Sequence, residues 1–137
     1  MAKSERQVGG TYSDTVEEME RTFGRVPAPL NSIGEEDATN EWPMFEKYTV
    51  GESEIPAKYR ELIGLAVAAN IKCPYCAHFH REAARLHGAT DEELEETYVL
   101  ASFTSRYSAM LHAIQYDLEQ FEDEVAEIGE HLQSHMG

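Results

Sequence analysis

Little in this chain of 137 residues suits an extracellular, membrane-bound or nucleic-acid-binding protein. Only two cysteines occur, Cys73 and Cys76, so no disulfide framework staples the fold. A chain this long needs none, because it buries roughly two-thirds of its unfolded surface in one conventional core. No apolar run approaches the roughly 20 residues that a membrane-spanning helix requires. The opening MAKSERQVGGTYSD lacks the apolar core of a signal peptide, so the expected compartment is the cytoplasm and no membrane partner is expected. Positive charge is scarce as well: 11 basic residues face 26 acidic ones, a formal net charge of −15. That field repels phosphate backbones and excludes nucleic acid as a natural partner. Lysine is the scarcer base, four against seven arginines, and the acids spread over EEME, DEELEE and FEDEVAEIGE. Such a surface keeps a protein soluble where salt screens colloidal repulsion. A high-salt, halophilic cytoplasm is the expectation, and an ordinary acidic helical protein is the alternative.

What is present is mostly helical pattern. Residues 1 to 11 contain Gly9 and Gly10 without apolar periodicity and read as a flexible arm; residues 12–137 read as a single domain. From Ser13, SDTVEEMERTFG offers a cap, early acids, and Val16, Met19 and Phe23 on one helical face, with Gly24 as the stop. Trp42, Phe45 and Tyr48 repeat at three-residue intervals in a further helix whose start Pro43 limits, and they read as core or subunit-contact residues. Pro56 opens a helix over about 56 to 69, whose interior LIGLAVAA predicts an enclosed central rod ending near Asn70, a residue that tolerates the left-handed cap conformation. Pro74 opens the next, which Gly88 stops, and Thr90 with Glu93 forms a capping box for another. The pattern loosens over Ser102 to Ser105, where a bend is expected. Met110, Leu111, Ile114, Leu118, Phe121, Val125 and Ile128 then keep helical spacing in one long helix or two end to end. The fold class is all-α, a bundle of five to seven helices.

Residues 61 to 80, ELIGLAVAANIKCPYCAHFH, hold the chemistry. On a helix Cys73 and Cys76 are neighbours at about 5 to 6 Å between Cβ atoms, a separation a disulfide tolerates. His80 lies four residues beyond Cys76 and seven beyond Cys73, on the same face. Thiols in a first helical turn meet unpaired backbone N–H groups and the positive end of the dipole, which favour a thiolate. A histidine one turn away accepts the proton, and Glu61 orients that histidine or completes a relay. Only a thiolate attacks a peroxide or a disulfide sulfur, and a dithiol in a reducing compartment more often cycles than staples.

Other uses of the same residues stand beside this one. A structural zinc site would take both cysteines with His80 and either His78 or His87, although His78 is two residues from His80 and falls on another face of a regular helix. Two small buried thiols with a solvated histidine are the bland case. CPYC also opens the active site of glutaredoxins, with LIGLAVAA as the preceding strand. All five prolines lie at or before Pro74, however, so the cis-proline that faces the dithiol in that fold is missing, and residues 90 to 132 pattern as helices. Tyr107 and His112 read as packing or as lining for a neighbouring subunit's pocket, His87 as a cation at a helix C-terminus, and His131 and His135 as solvated.

Glu61, then eleven residues, Cys73-Pro74-Tyr75-Cys76, three residues and His80, followed by GATDEEL and preceded by IPAKYREL, resembles the AhpD-like alkylhydroperoxidase branch of the carboxymuconolactone decarboxylase family. The resemblance covers about residues 42 to 120. It implies an all-helical homo-oligomer, trimer or hexamer, with a thiol-dependent peroxidase or disulfide oxidoreductase activity, an antioxidant role and no cofactor or metal. The substrate implied is a peroxide or small disulfide, and a thiol donor not identified by the sequence supplies electrons. It also implies that Cys76 attacks the peroxide, that Cys73 resolves the sulfenic acid, and that His80 and Glu61 relay protons. The helix-terminus argument alone would favour Cys73 as the attacking thiol. Tyr75 departs from members that carry a histidine within the dithiol motif. The alternatives are a non-catalytic oligomer holding zinc or sensing redox state at this site, and a lactone decarboxylase-like lyase, a branch that lacks the dithiol.

Overall fold

A computed structural model of the chain describes residues 10–136. Apart from Gly10 and Thr11, the expected arm lies outside the described residues. The described residues form seven helices and no strand: α1 (Tyr12–Phe23), α2 (Ala28–Asn31), α3 (Glu35–Thr49), α4 (Ala57–Ile71), α5 (Pro74–Leu86), α6 (Asp91–Ala113) and α7 (Leu118–His135). The all-α expectation of five to seven helices is met. The chain divides into two compact units, one up to Arg60 and one from Glu61.

In the first unit α1 is capped by Thr11, two residues before the cap expected at Ser13. The Thr11 hydroxyl accepts from the Asp14 N–H at 3.2 Å, and the Asp14 carboxylate accepts from the Thr11 N–H at 2.9 Å. The Thr11 N–H and the Thr11 hydroxyl, which also donates to the Asp14 carboxylate at 2.9 Å, together hold that carboxyl below its ordinary value. Gly24, at φ 74°, closes the helix by donating to the Glu20 carbonyl. Met19, Leu30 and Trp42 form the core, with Phe23, Val26 and Phe45 packed on it and Trp42 Nε1 donating to Glu18 at 2.8 Å. Pro43 does not begin α3 but lies inside it. Glu35, Glu36 and Asp37 favour the true N-terminus through the helix dipole, and burial of Ala38 and Trp42 one turn apart offsets the cost of an interior proline. Arg60 ties down the following connection, its guanidinium donating to the carbonyls of Gly51 at 2.7 Å and Ile55 at 3.3 Å and to the Ser53 hydroxyl at 2.5 Å.

In the second unit Leu65, Ala84 and Leu94 form the core with Leu62, Ala77 and Ala89. α4 buries Glu61, Leu65 and Ala68 but is not enclosed: Ile63, Val67 and Ile71 are each more than half exposed. The apolar run is continuous, yet among the described residues it is fully covered only where Leu65 and Ala68 are buried, and the rest stays partly or wholly open. Asn70 is not the left-handed cap. Its amide donates to the Ala101 carbonyl at 3.2 Å and its oxygen accepts from the Ser105 hydroxyl, a polar tie between α4 and α6. The left-handed residue is Lys72, at φ 60°, and the Cys73 N–H reaches back to the Ala68 carbonyl at 3.1 Å, a Schellman-type closure. α6 runs unbroken through Ser102 to Ser105, starting from the expected Thr90–Glu93 box. The break comes later, over residues 114 to 117, where Gln115 is left-handed at φ 53°. There Tyr116 donates to Glu124, and this bond, above all, holds its phenol above the ordinary range. None of α7 is buried: along its apolar row Leu118, Val125, Ile128 and Leu132 are half exposed or more, while Phe121 packs edge-on against Tyr116 with ring centroids 6.4 Å apart. No helix among the described residues is long and apolar enough to cross a membrane.

Candidate active site

The corner between α4 and α5 places the dithiol. The backbone reversal at Lys72 ends α4 and delivers Cys73 as the N-cap of α5, with Pro74 at the first helical position, where a missing N–H costs nothing. Cys73 is thus both the residue that closes one helix and the residue that caps the next. Its sulfur accepts a hydrogen bond from the Cys76 N–H at 3.2 Å. A sulfur so placed receives a first-turn amide and the positive end of the helix dipole. Cys73 and Cys76 are joined as a disulfide with Cα atoms 5.4 Å apart, a span ordinary for such a bond.

One turn along α5 from Cys76, His80 crosses to α4. Its Nδ1 lies 2.7 Å from Oε2 of Glu61. The Glu61 side chain is only 3% exposed and the His80 side chain 27%. With the carboxylate accepting, Nδ1 carries a proton and Nε2 becomes the nitrogen able to take or give one. Phe79 sets its ring edge-on to the imidazole, centroids 5.2 Å apart, which narrows the positions His80 can adopt. A buried carboxylate is costly unless paired and hydrogen-bonded, and His80 is the partner that keeps it there.

The structure therefore brings Glu61 and His80 into contact and sets Cys73, Cys76 and His80 along one helix. His78 is exposed and stands outside this group. His87 is the C-cap of α5, as its place before Gly88 suggested. His112 and Tyr107 lie elsewhere, in a cavity of about 770 Å³ beside the α6–α7 turn whose lining shares no residue with the dithiol site. There His112 Nδ1 is tied to the Ser108 carbonyl at 2.7 Å. His131 and His135 are exposed on α7 and stack on each other, ring centroids 4.1 Å apart. Trp42 and Phe45 pack in the first unit's core, while Tyr48 is half exposed. Among the described residues no three His, Cys, Asp or Glu side chains converge in an arrangement that could hold a metal ion.

One residue of the site escaped the reading of the sequence. A methyl group added at Gly64 would meet the His80 ring at 2.5 Å from Cε1 and Nδ1 and 2.7 Å from Nε2. The available signal was a glycine in the middle of an apolar helix, where alanine is intrinsically preferred.

Residues 37–119 match the model of the carboxymuconolactone decarboxylase family. Among curated relatives, an alkyl hydroperoxide reductase of Mycobacterium tuberculosis (strain ATCC 25618 / H37Rv) is 31% identical over 88 residues, 63% of this chain and 25% of that protein. Uncharacterized protein 4 in the cox locus of Paracoccus denitrificans is 31% identical over 69 residues, 50% of this chain and 62% of that protein. The chain thus spans about a quarter of the first relative's length and about three-fifths of the second's. In the solved structures, the crystal structure of the alkylhydroperoxidase AhpD core from Rhodospirillum rubrum is similar with a TM-score of 0.66 at 26% identity, covering 80% of this chain and 85% of that one.

Proposed function

The chain belongs to the carboxymuconolactone decarboxylase family, and from that premise we propose that it is a thiol-dependent peroxidase or disulfide oxidoreductase of the alkylhydroperoxidase kind. The observation that carries this is the buried Glu61 carboxylate hydrogen-bonded to His80 on the dithiol helix. A structural disulfide needs no such pair, and a desolvated carboxylate–imidazole contact beside two sulfurs is the equipment of proton transfer. The names of the M. tuberculosis relative and the R. rubrum structure support the same activity.

In the proposed cycle His80 Nε2 takes the Cys76 proton while Glu61 holds Nδ1–H and steadies the imidazolium. The Cys76 thiolate attacks the outer peroxide oxygen; the S–O bond forms, the O–O bond breaks, and the departing alkoxide takes the proton as an alcohol. The Cys73 thiolate then attacks the sulfenic sulfur, the S–S bond forms, and hydroxide leaves as water with the proton Cys73 released. A thiol donor returns two electrons and two protons to reopen the disulfide. The closed Cys73–Cys76 bond corresponds to the oxidised end of this cycle.

Reduced protein treated with sub-stoichiometric alkyl hydroperoxide is expected to lose about 2 Da, the mass of the two hydrogens removed when a dithiol closes. Tightly bound zinc and thiols inert to the peroxide would replace this reading with the zinc-holding one. Disulfide formation without turnover by any dithiol donor would leave a redox sensor.

The proposal extends to the setting: a cytoplasm, where a cycling dithiol is kept reducible, a high-salt one for the acidic surface, and a homo-oligomeric trimer or hexamer. The exposed apolar rows on α4 and α7 support assembly, since a monomer seldom leaves such faces in water. Light scattering and thermal melting in dilute buffer and in molar KCl test both points. A trimer or hexamer mass and a higher Tm in KCl are expected; a monomer in both, or greater stability in dilute buffer, would remove the corresponding part.

A further inference from the structure

Gly64 sits mid-helix in α4, one turn after Glu61, directly under the His80 ring. Nothing about α4 itself asks for glycine there. The residue is helical, no left-handed backbone is involved, and glycine weakens a helix interior relative to alanine. The contact explains it: a Cβ at this position would meet three atoms of the imidazole at 2.5 to 2.7 Å, closer than non-bonded atoms approach. The ring lies over Gly64 because its Nδ1 reaches Glu61 at 2.7 Å, one turn back along the same helix.

We propose that Gly64 is a positioning residue, whose missing side chain makes the recess in which His80 lies against Glu61 and presents Nε2 to the dithiol. It acts through His80 and touches no substrate. The inference rests on the dithiol reading of the site, but the geometry it concerns is independent of which substrate turns over. Alanine at position 64 meets the far end of a side chain that can rotate, so the helix is expected to survive while the imidazole swings off the carboxylate. Glu61 then stays buried without its partner, and Nε2 is no longer held toward Cys76.

The test is Gly64→Ala, alone and combined with His80→Ala, with Gly129→Ala as the control. Gly129 is also mid-helix, in α7, but an added Cβ there has nothing within 4 Å. Three readouts are taken: the imidazole NMR signals of His80, the pH profile of Cys76 alkylation in reduced protein, and the rate of disulfide formation with alkyl hydroperoxide. In Gly64→Ala the hydrogen-bonded Nδ1–H signal is expected to vanish. The alkylation profile and the peroxide rate should move to those of His80→Ala, a loss of about 10²-fold in rate, the lower range for removal of a general base. In the His80→Ala background the second substitution should change neither, because the ring it displaces is gone. Gly129→Ala should leave all three as they were.

A Gly64→Ala protein that folds only when His80 is also removed supports the proposal as well. Failure of both to fold would overturn it, since Gly64 would then serve backbone packing rather than the imidazole. An unchanged His80 signal with rates within twofold of wild type would also overturn it. If wild type forms no disulfide with peroxide while Gly64→Ala still erases the Nδ1–H signal, the activity reading falls and the positioning role stands.

Discussion

Cys76→Ser is expected to abolish peroxide consumption, by about three orders of magnitude or more, the scale on which loss of a covalent nucleophile acts. Cys73→Ser should behave differently. With Cys76 present and no resolving thiol, one equivalent of peroxide is consumed and the chain stops as a sulfenic acid, about 16 Da heavier and trappable by a dione. The asymmetry follows from the two devices that serve the two sulfurs. Cys73 is served by the helix terminus, its sulfur accepting the Cys76 N–H at 3.2 Å. In the proposed cycle Cys76 is served by His80, one turn away on α5. When a donor thiol attacks the disulfide at Cys76, Cys73 leaves as a thiolate into a first-turn amide, which favours that direction of cleavage because a better-stabilised thiolate leaves faster. The helix-terminus argument taken alone makes Cys73 the attacking thiol, and a trapped sulfenic acid on Cys73 in the Cys76→Ser protein would establish that order and overturn the one proposed. Intact-mass spectra of both variants after one equivalent of peroxide distinguish the two.

How well different features could be read from the sequence follows from how far each physical cause reaches along the chain. Thr90 with Glu93, Pro74 at the first turn of α5, and Gly24 and Gly88 as stops are all decided within four residues, and the structure has each of them. The spacing of Glu61, Cys73, Cys76 and His80 was visible for a related reason: two helices joined by a tight corner convert sequence separation into a nearly fixed spatial relation. Features that depend on distant partners were not visible. Pro43 is tolerated within α3 because Trp42 is held in a core with Met19 and Leu30, more than ten residues upstream. Asn70 looks like a cap by residue type, but Ala101 and Ser105 on α6 engage it and the left-handed turn passes to Lys72. Ser102 to Ser105 look like a bend, yet the hydroxyls of Ser102 and Ser105 have partners in Val99 and Asn70 and α6 continues. Gly64 is the clearest case, since its reason is an imidazole sixteen residues away in sequence. The exposed rows of α4 and α7 belong to the same class, because an apolar helix pattern announces that a face needs a partner without saying that the partner is in the same chain.

Separating catalysis from stability at Glu61 and His80 is the remaining decisive measurement, because in the proposed cycle the same contact serves both. His80→Gln is expected to slow peroxide reduction about 10²-fold or more by removing the nitrogen that moves the thiol proton in the proposed cycle. His80→Ala should do the same and also destabilise the fold by about 2 to 4 kcal/mol, as removal of one partner strands a buried charge. The side chain it strands is 3% exposed and has lost its 2.7 Å hydrogen bond, so water repays little of that cost. If the pair exists for chemistry, stability should return when the charge is removed too: His80→Ala with Glu61→Leu is expected to recover most of the lost stability, because an apolar side chain suits the site the carboxylate occupied, while peroxide reduction stays as low as in His80→Ala. Denaturant melts of the single and double variants, beside their rates of disulfide formation, make the comparison. A His80→Ala protein as stable as wild type would show that the carboxylate is not strained by losing its partner. A double variant that regained activity would remove the pair from the mechanism altogether. Stability restored without activity is the outcome that a structural ion pair cannot explain, since a contact kept for the fold alone has nothing left to lose once the fold is repaired.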